Sequence, residues 1–283
     1  MKPNTVFVLG AYDPEMRAIR YMLGKAGYRT AVANRFGKRC VGGNAYNADS
    51  LSKAINPNAA LVWVECRSPS FTPGRDVIVD HHNKGDPGYA AQPGEYWEGS
   101  SIGQIAELIG VKRGKYAELA AASDHCLSAA MRGECKGACP SEVMEWRINV
   151  RASMMEIEPR RLRRRIDMAC ERLNSLPVLD FGGEKILDGS FDSTPELRDA
   201  AAIAGKPIIT TRQDLLGRVK IGLYGARCDV VTEWLATIGN SEFADSSYGN
   251  PNREYAGVVL NEDASQKLLR NRYPHRARPP EMQ

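Results

Sequence analysis

The chain has 283 residues, of which 43% are apolar and 25% charged, a balance that suits a folded globular protein and excludes a disordered or fibrous one. No run approaches the roughly 18–20 consecutive apolar residues of a membrane-spanning helix, and the start of the chain lacks the apolar core and cleavage site of a signal peptide. Seven cysteines, an odd number in a chain of this size, point to reduced thiols and a cytoplasmic setting with no membrane partner.

In chain order, residues 6–9 read as a strand and 14–25 as a helix closed by Gly27. Residues 29–33 form a second strand. After the Asn56-Pro57-Asn58 turn come a short buried strand over 61–64 and another over 77–79. Ser100 and Ser101 cap a helix over 102–109, followed by helices over 115–131 and 141–154. Strands alternating with helices predict an α/β fold, a mostly parallel sheet with helices on both faces. An Arg-rich helix over 158–176 is stopped by Pro177. Beyond it the pattern restarts with strands over 178–181, 186–187, 208–211, 219–224 and 255–260 and helices over 195–204 and 229–238, which predicts a second, smaller α/β domain. The expected division is a catalytic domain over 1–157, the linker helix over 158–176 and a substrate-binding domain over 177–283.

Net charge is only +4, yet the arginines are clumped. Arg160, Arg161, Arg163, Arg164 and Arg165 crowd the linker helix, and Arg270, Arg272, Arg276 and Arg278 line the C-terminal tail. Such clusters suit a phosphate-bearing partner through charge neutralisation; a solvated helix face or a loose tail has the same composition.

Strand 77–79 runs straight into Asp80-His81-His82, two of only four histidines in the chain. Strand ends in α/β sheets are where ligands are held, and this triplet offers one hard oxygen and two imidazoles within a few ångströms. The alternative for the triplet alone is a polar turn with two ordinary histidines. Other acids fall at comparable places. Asp13 and Glu15, two apart, leave the end of the first strand on one loop; alternatively they cap helix 14–25 and complement its dipole. Glu65 follows strand 61–64, where it could instead pair with Arg67 on the surface. Asp124 sits on an Ala-rich helix, where burying an acid without a partner is costly.

In this order the acids and histidines resemble the motifs of the DHH phosphoesterase superfamily, which includes RecJ-type exonucleases, nano-RNA and cyclic-dinucleotide hydrolases and family-II pyrophosphatases. The likeness spans roughly residues 5–130. Tyr12-Asp13-Pro14-Glu15 looks like the first motif, Glu65 stands at the second, Asp80-His81-His82 is the third, and Asp124 fits the fourth. The resemblance implies one or two divalent ions. Asp13 and Asp80 would help hold one, Glu15, His81 and Asp124 the other, with Glu65 bridging and His82 facing the substrate phosphate or leaving group. Two ions about 3.5–4 Å apart can clamp a phosphoryl oxygen and activate the attacking water. Mixed carboxylate and imidazole ligands favour Mn²⁺, with Mg²⁺ as the second choice. Four positions depart from the pattern. Glu15 and Glu65 replace aspartates, and Leu9 and Ala11 stand where relatives carry a further ligand, which leaves the first ion site one ligand short.

The second half lacks the glycine-rich Gly-Gly-Gly-His motif of many such enzymes. Its nearest candidates are Gly182-Gly183, the segment 248–253 with Arg253, and the segment 220–227, where Arg227 precedes a helix start that would favour an anion. Ser100 and Ser101 are expected to cap their helix with a substrate contact. Cys126, Cys135 and Cys139, with His125, could form a zinc site, although their spacing matches no common finger. The function this implies is a metal-dependent phosphodiesterase acting on short oligonucleotides or related nucleotide phosphoesters. The alternative is a catalytically degenerate scaffold that binds nucleotides or nucleic acid without turnover.

Overall fold

The computed structural model describes residues 4–272. It divides into two compact units with the boundary at Pro159/Arg160. Arg276 and Arg278 of the C-terminal arginine group lie outside the described residues.

The first unit runs β1 (Thr5–Leu9), α1 (Pro14–Lys25), β2 (Arg29–Arg35), β3 (Lys38–Arg39), β4 (Ser50–Leu51), β5 (Ala60–Val64), β6 (Val77–Val79), α2 (Tyr96–Gly99), α3 (Ser101–Ile109), α4 (Lys115–His125), α5 (Leu127–Met131) and α6 (Pro140–Met154). Its sheet has the order β3-β2-β1-β5-β6, with β4 on β2. The central strands β2, β1, β5 and β6 are parallel, whereas β3 and β4 pair antiparallel with β2. Every residue of β1 is buried, as a strand between two parallel neighbours must be.

The expectation of helices on both faces needs correcting. Val6, Val8, Ala31, Ala33, Leu61 and Trp63 share one face, and what covers them is coil and short turns: Cys40, Ala45, Ala48, Leu51, Ile55, Cys66 and Phe71. This connection carries Gly42, Gly43, Asn44, Asn47, Asn56 and Pro57, residues that break helices and form turns. The helix expected over 115–131 is also interrupted. Cys126 adopts φ −157° and ψ 66°, which ends α4 at His125 and starts α5 at Leu127.

The second unit contains α7 (Pro159–Leu173), β7 (Val178–Phe181), β8 (Glu184–Gly189), α8 (Leu197–Ile203), β9 (Ile208–Gln213), β10 (Val219–Tyr224), α9 (Cys228–Thr237), β11 (Ala244–Asn250), β12 (Tyr255–Leu260) and α10 (Glu262–Arg272). Its strand order is β11-β12-β10-β9-β8-β7. Only β8 and β9 pair in parallel; the other neighbours are antiparallel, so the parallel character expected from the sequence belongs to the first sheet alone. Connection length decides this, because a parallel crossover needs a dozen or more residues while a hairpin needs two. Gly182 and Gly183, both at positive φ, are the two-residue hairpin turn between β7 and β8, not a phosphate loop. The segment 248–253 is the end of the polar strand β11 and a 3₁₀ turn. Helix α7, read as a linker, places Ala169 and Leu173 in a core with Leu187, Leu197 and Ile208. Arg160, Arg161, Arg163 and Arg164 lie exposed along it. No helix among the described residues is long and apolar enough to cross a membrane.

Candidate metal centre

The carboxyl ends of β1, β5 and β6 bring the acidic residues together. Gly10 leaves β1 and donates from its backbone to the Val64 carbonyl at 3.0 Å. A methyl group there would overlap the Glu65 carbonyl oxygen, so only glycine lets the two chain segments pass so closely. Asp13 caps α1, its Oδ1 accepting from the Met16 N–H at 2.7 Å. Pro14 follows at the first helical position, and Glu15, one residue on, is fully buried. Its Oε1 accepts from the Ile102 N–H at 3.0 Å, in the first turn of α3, where a carboxylate complements the helix dipole. Glu65 follows β5 with φ +50°, a left-handed conformation that a side chain of this size rarely adopts and that accumulates at functional sites.

These turns converge on His81. Its Nε2 lies 3.3 Å from Asp124 Oδ2, 3.5 Å from Glu65 Oε1 and 3.9 Å from Glu15 Oε2. The four residues offer ligand atoms that all lie within 4.8 Å of one another, and Glu65, His81 and His82 form an overlapping group. The opposite nitrogen of the ring, Nδ1, sits 3.1 Å from His125 Nδ1, and His125 Nε2 sits 3.3 Å from the Ala91 carbonyl. A carbonyl only accepts, so His125 carries its hydrogen on Nε2. In the neutral ring this leaves its Nδ1 as an acceptor for His81 Nδ1–H. The lone pair of His81 Nε2 then points at three carboxylates. Gly99 makes room for this relay, since a Cβ there would collide with the His125 ring and Ala91.

A lone pair facing carboxylates is repulsive unless a cation stands between them. Glu15 Oε2 and Glu65 Oε1 are buried and accept no hydrogen bond. Burial, and next the charge of Asp124, push Asp13 up to about 7. The same two causes hold Glu15 well above the usual carboxylate range, and burial with the charge of Glu15 does so for Glu65. Without a cation this nest takes up protons; a divalent cation satisfies it without them. Three carboxylates and one imidazole form a hard, mixed oxygen and nitrogen donor set of the kind that holds a divalent cation. The group fits a metal ion.

Asp80, expected to help hold an ion, is engaged elsewhere. Its Oδ1 accepts from the His81 and His82 N–H groups at 2.8 and 3.1 Å, from His82 Nδ1 at 3.0 Å and from the Tyr46 hydroxyl at 3.3 Å. Its Oδ2 accepts from Arg67 Nη1 at 3.1 Å. Burial would raise this carboxyl, but His82 and Arg67 outweigh it and hold it well below the usual range. Gln104 clamps the Asp80 backbone, its Oε1 accepting from the Asp80 N–H at 3.3 Å and its Nε2 donating to the carbonyl at 3.1 Å. His82 is half-buried, with one nitrogen on Asp80. Arg67 does not pair with Glu65, as the sequence had allowed. Arg67, Gln104 and His125 had no mark in the sequence as members of this site.

The other positions proposed for substrate lie differently. The Ser100 hydroxyl caps α3, accepting from the Gly103 N–H and donating to the Trp97 carbonyl. Ser100 and Ser101 are both fully buried, so neither hydroxyl is open to a ligand. In the second unit, Arg227 pairs with Asp229 at 3.0 Å and its N–H donates to Glu184 Oε2; the helix start expected to attract an anion already has this carboxylate. Arg253 is buried over the Tyr255 ring. The zinc reading does not assemble among the described residues. Cys126 and Cys135 stand 3.3 Å apart, Cys139 is exposed beside Ser141, and His125 serves His81.

No family model and no curated protein matches this sequence. Among solved structures, the chain is similar to structures of RecJ, one of them described as an exonuclease. RecJ of Thermus thermophilus in complex with Mn²⁺ matches at 12% identity and a TM-score of 0.42, over 98% of this chain and 52% of that one. The Mg²⁺ complex matches at 11% and 0.39, over 98% and 50%. An exonuclease RecJ bound to manganese matches at 12% and 0.38, over 98% and 91%. The chain thus spans about half the length of the first two.

Proposed function

We propose that this chain is a divalent-metal-dependent phosphodiesterase acting on short oligonucleotides or related nucleotide phosphoesters, with Mn²⁺ as the preferred ion and a cytoplasmic setting. The observation that carries the reading is His81 Nε2 set among Glu15, Glu65 and Asp124 while its other ring nitrogen is taken up by His125. Those four side chains would hold the ion, with Asp13 adding negative charge beside Asp124. A bound divalent ion supplies Lewis acidity toward a phosphoryl oxygen. His82, with Nδ1 fixed on Asp80 and the ring partly exposed, is placed to meet the phosphate or protonate its leaving oxygen. The exposed arginines of α7 supply positive charge for a polyanion.

The test is Mn²⁺-stimulated hydrolysis of bis-p-nitrophenyl phosphate and a labelled short oligonucleotide by the full chain, with Glu65→Gln and His81→Ala in parallel. We expect turnover that both substitutions abolish. Unchanged turnover in either variant would sink the assignment. One observation favours the second reading, a degenerate scaffold that binds without turnover: the guanidinium of Arg67 on Asp80. That reading predicts tight Mn²⁺ and salt-sensitive oligonucleotide binding with no hydrolysis.

A further inference from the structure

Arg67 joins the centre by a route the ligand group itself does not require. It follows Glu65 and Cys66 at the exit of β5, and its Nη1 donates to the Cys66 carbonyl at 3.0 Å, which anchors the guanidinium at the edge of the site. The same nitrogen reaches Asp80 Oδ2 at 3.1 Å, and Nη2 donates to Asp86 Oδ1. Both carboxylates are buried, with side chains 0% and 6% exposed, while that of Arg67 is 25% exposed. A guanidinium keeps its charge at any pH a protein tolerates and presents a planar fork that binds two carboxylates at once. With four donors already on Oδ1, the Arg67 fork completes the coordination of Asp80. Leu9, at the end of the neighbouring strand β1, is buried and apolar, and Ala11, in the loop that follows, carries no side-chain ligand atom.

We infer that Arg67 is a built-in cation standing where a second metal ion would otherwise bind to Asp80, so that the chain holds a single divalent ion. This rests on the metal-centre reading above and decides its stoichiometry. An ion drawn to Asp80 would have to displace Arg67 and leave Asp86 buried without its cation, an unfavourable exchange. Arg67 also faces outward. With Arg35, Phe36, Tyr46 and Ser68 it lines a cleft of about 440 Å³, which puts the fixed charge at the border between the ion-binding acids and open space. Arg67 is therefore a positioning residue, holding Asp80 and, through Asp80, the orientation of His82.

Mn²⁺ titration of the full chain, followed by equilibrium binding and by electron paramagnetic resonance, tests this. The expected result is one ion per chain with an uncoupled six-line spectrum. Arg67→Lys, which keeps the charge, should remain at one ion. Arg67→Ala, which frees Asp80 and Asp86, should take up a second ion and show the broadened spectrum of a spin-coupled pair. Asp80→Asn should hold its single ion within about threefold of the parent affinity, which keeps the inference testable should Arg67→Ala fail to fold. Two coupled ions in the unaltered chain, one ion still in folded Arg67→Ala, or loss of the ion in Asp80→Asn would overturn the inference and leave the metal centre standing. No ion in the unaltered chain would overturn both.

Discussion

His125 decides which nitrogen of His81 meets the acids. The two rings are 44 residues apart in the chain and share a contact of 3.1 Å, and the Ala91 carbonyl sets the tautomer of the pair. Partners of this kind orient metal-binding imidazoles, and their loss costs about 10–100-fold in metal affinity. We therefore expect His125→Ala to weaken Mn²⁺ binding by that factor, measured by titration calorimetry. His125→Asn, whose amide oxygen can accept from His81 Nδ1–H, should recover part of the loss. Equal weakening by both would show that the ring's bulk matters and the acceptor does not. At this scale the sequence marked His81, Glu15, Glu65 and Asp124 by type and by position after strands. It could not mark His125 or Arg67, because their roles come from what they touch. His125 looked like a companion of three cysteines, and Arg67 like a surface partner of Glu65.

Asp76 shows how an element is held in register. It precedes β6, and its side chain reaches back to β5. Oδ1 accepts from the Leu61 N–H and from Arg75 Nε, and Oδ2 from Trp63 Nε1 and the Thr72 N–H. Burial would raise this carboxyl, but the Arg75 bond and the backbone donors outweigh it and hold it below the usual range. A depressed carboxyl stabilises the fold above its unfolded value, about 3.9, and that contribution disappears as pH falls through the folded value. Asp76→Asn should therefore cost about 1–3 kcal/mol at neutral pH, with the difference from the parent shrinking as pH falls below about 4. Urea melts of both proteins at the two pH values decide it; an equal difference at each would mean that the charge is irrelevant. The strand itself was legible from Val77, Ile78 and Val79. The four bonds from Asp76 were not, since three of them cross between segments 4–15 residues apart. Helix α3 makes the same point. Its Ser cap could be read from sequence, but that its first turn greets Glu15, 87 residues away, could not.

At the scale of the molecule, all the proposed ligands lie in the unit that ends at Pro159, between residue 15 of α1 and residue 124 of α4. An ion that binds the folded state alone stabilises it by about 2.7 kcal/mol at a hundred times its dissociation constant. Hydrogen exchange with and without saturating Mn²⁺ should thus show added protection centred on the backbone around Glu65, Asp80–His82, Ile102 and Asp124. Protection spread evenly into residues 177–260 would place the ion elsewhere.

Composition and local pattern alone determined that this chain alternates strands and helices, that β1, β5 and β6 end in acids and histidines, and that arginines line one helix. Each follows from propensity, capping or spacing over a few residues. Tertiary structure alone decided the rest. Coil covers one face of the first sheet because 40–59 is rich in turn formers; the second sheet is mostly antiparallel because its links are short. Asp80 faces an arginine, and His81 faces three carboxylates, because strand and helix ends far apart in sequence meet at one sheet edge, where burial raises the proton affinity of ordinary carboxylates.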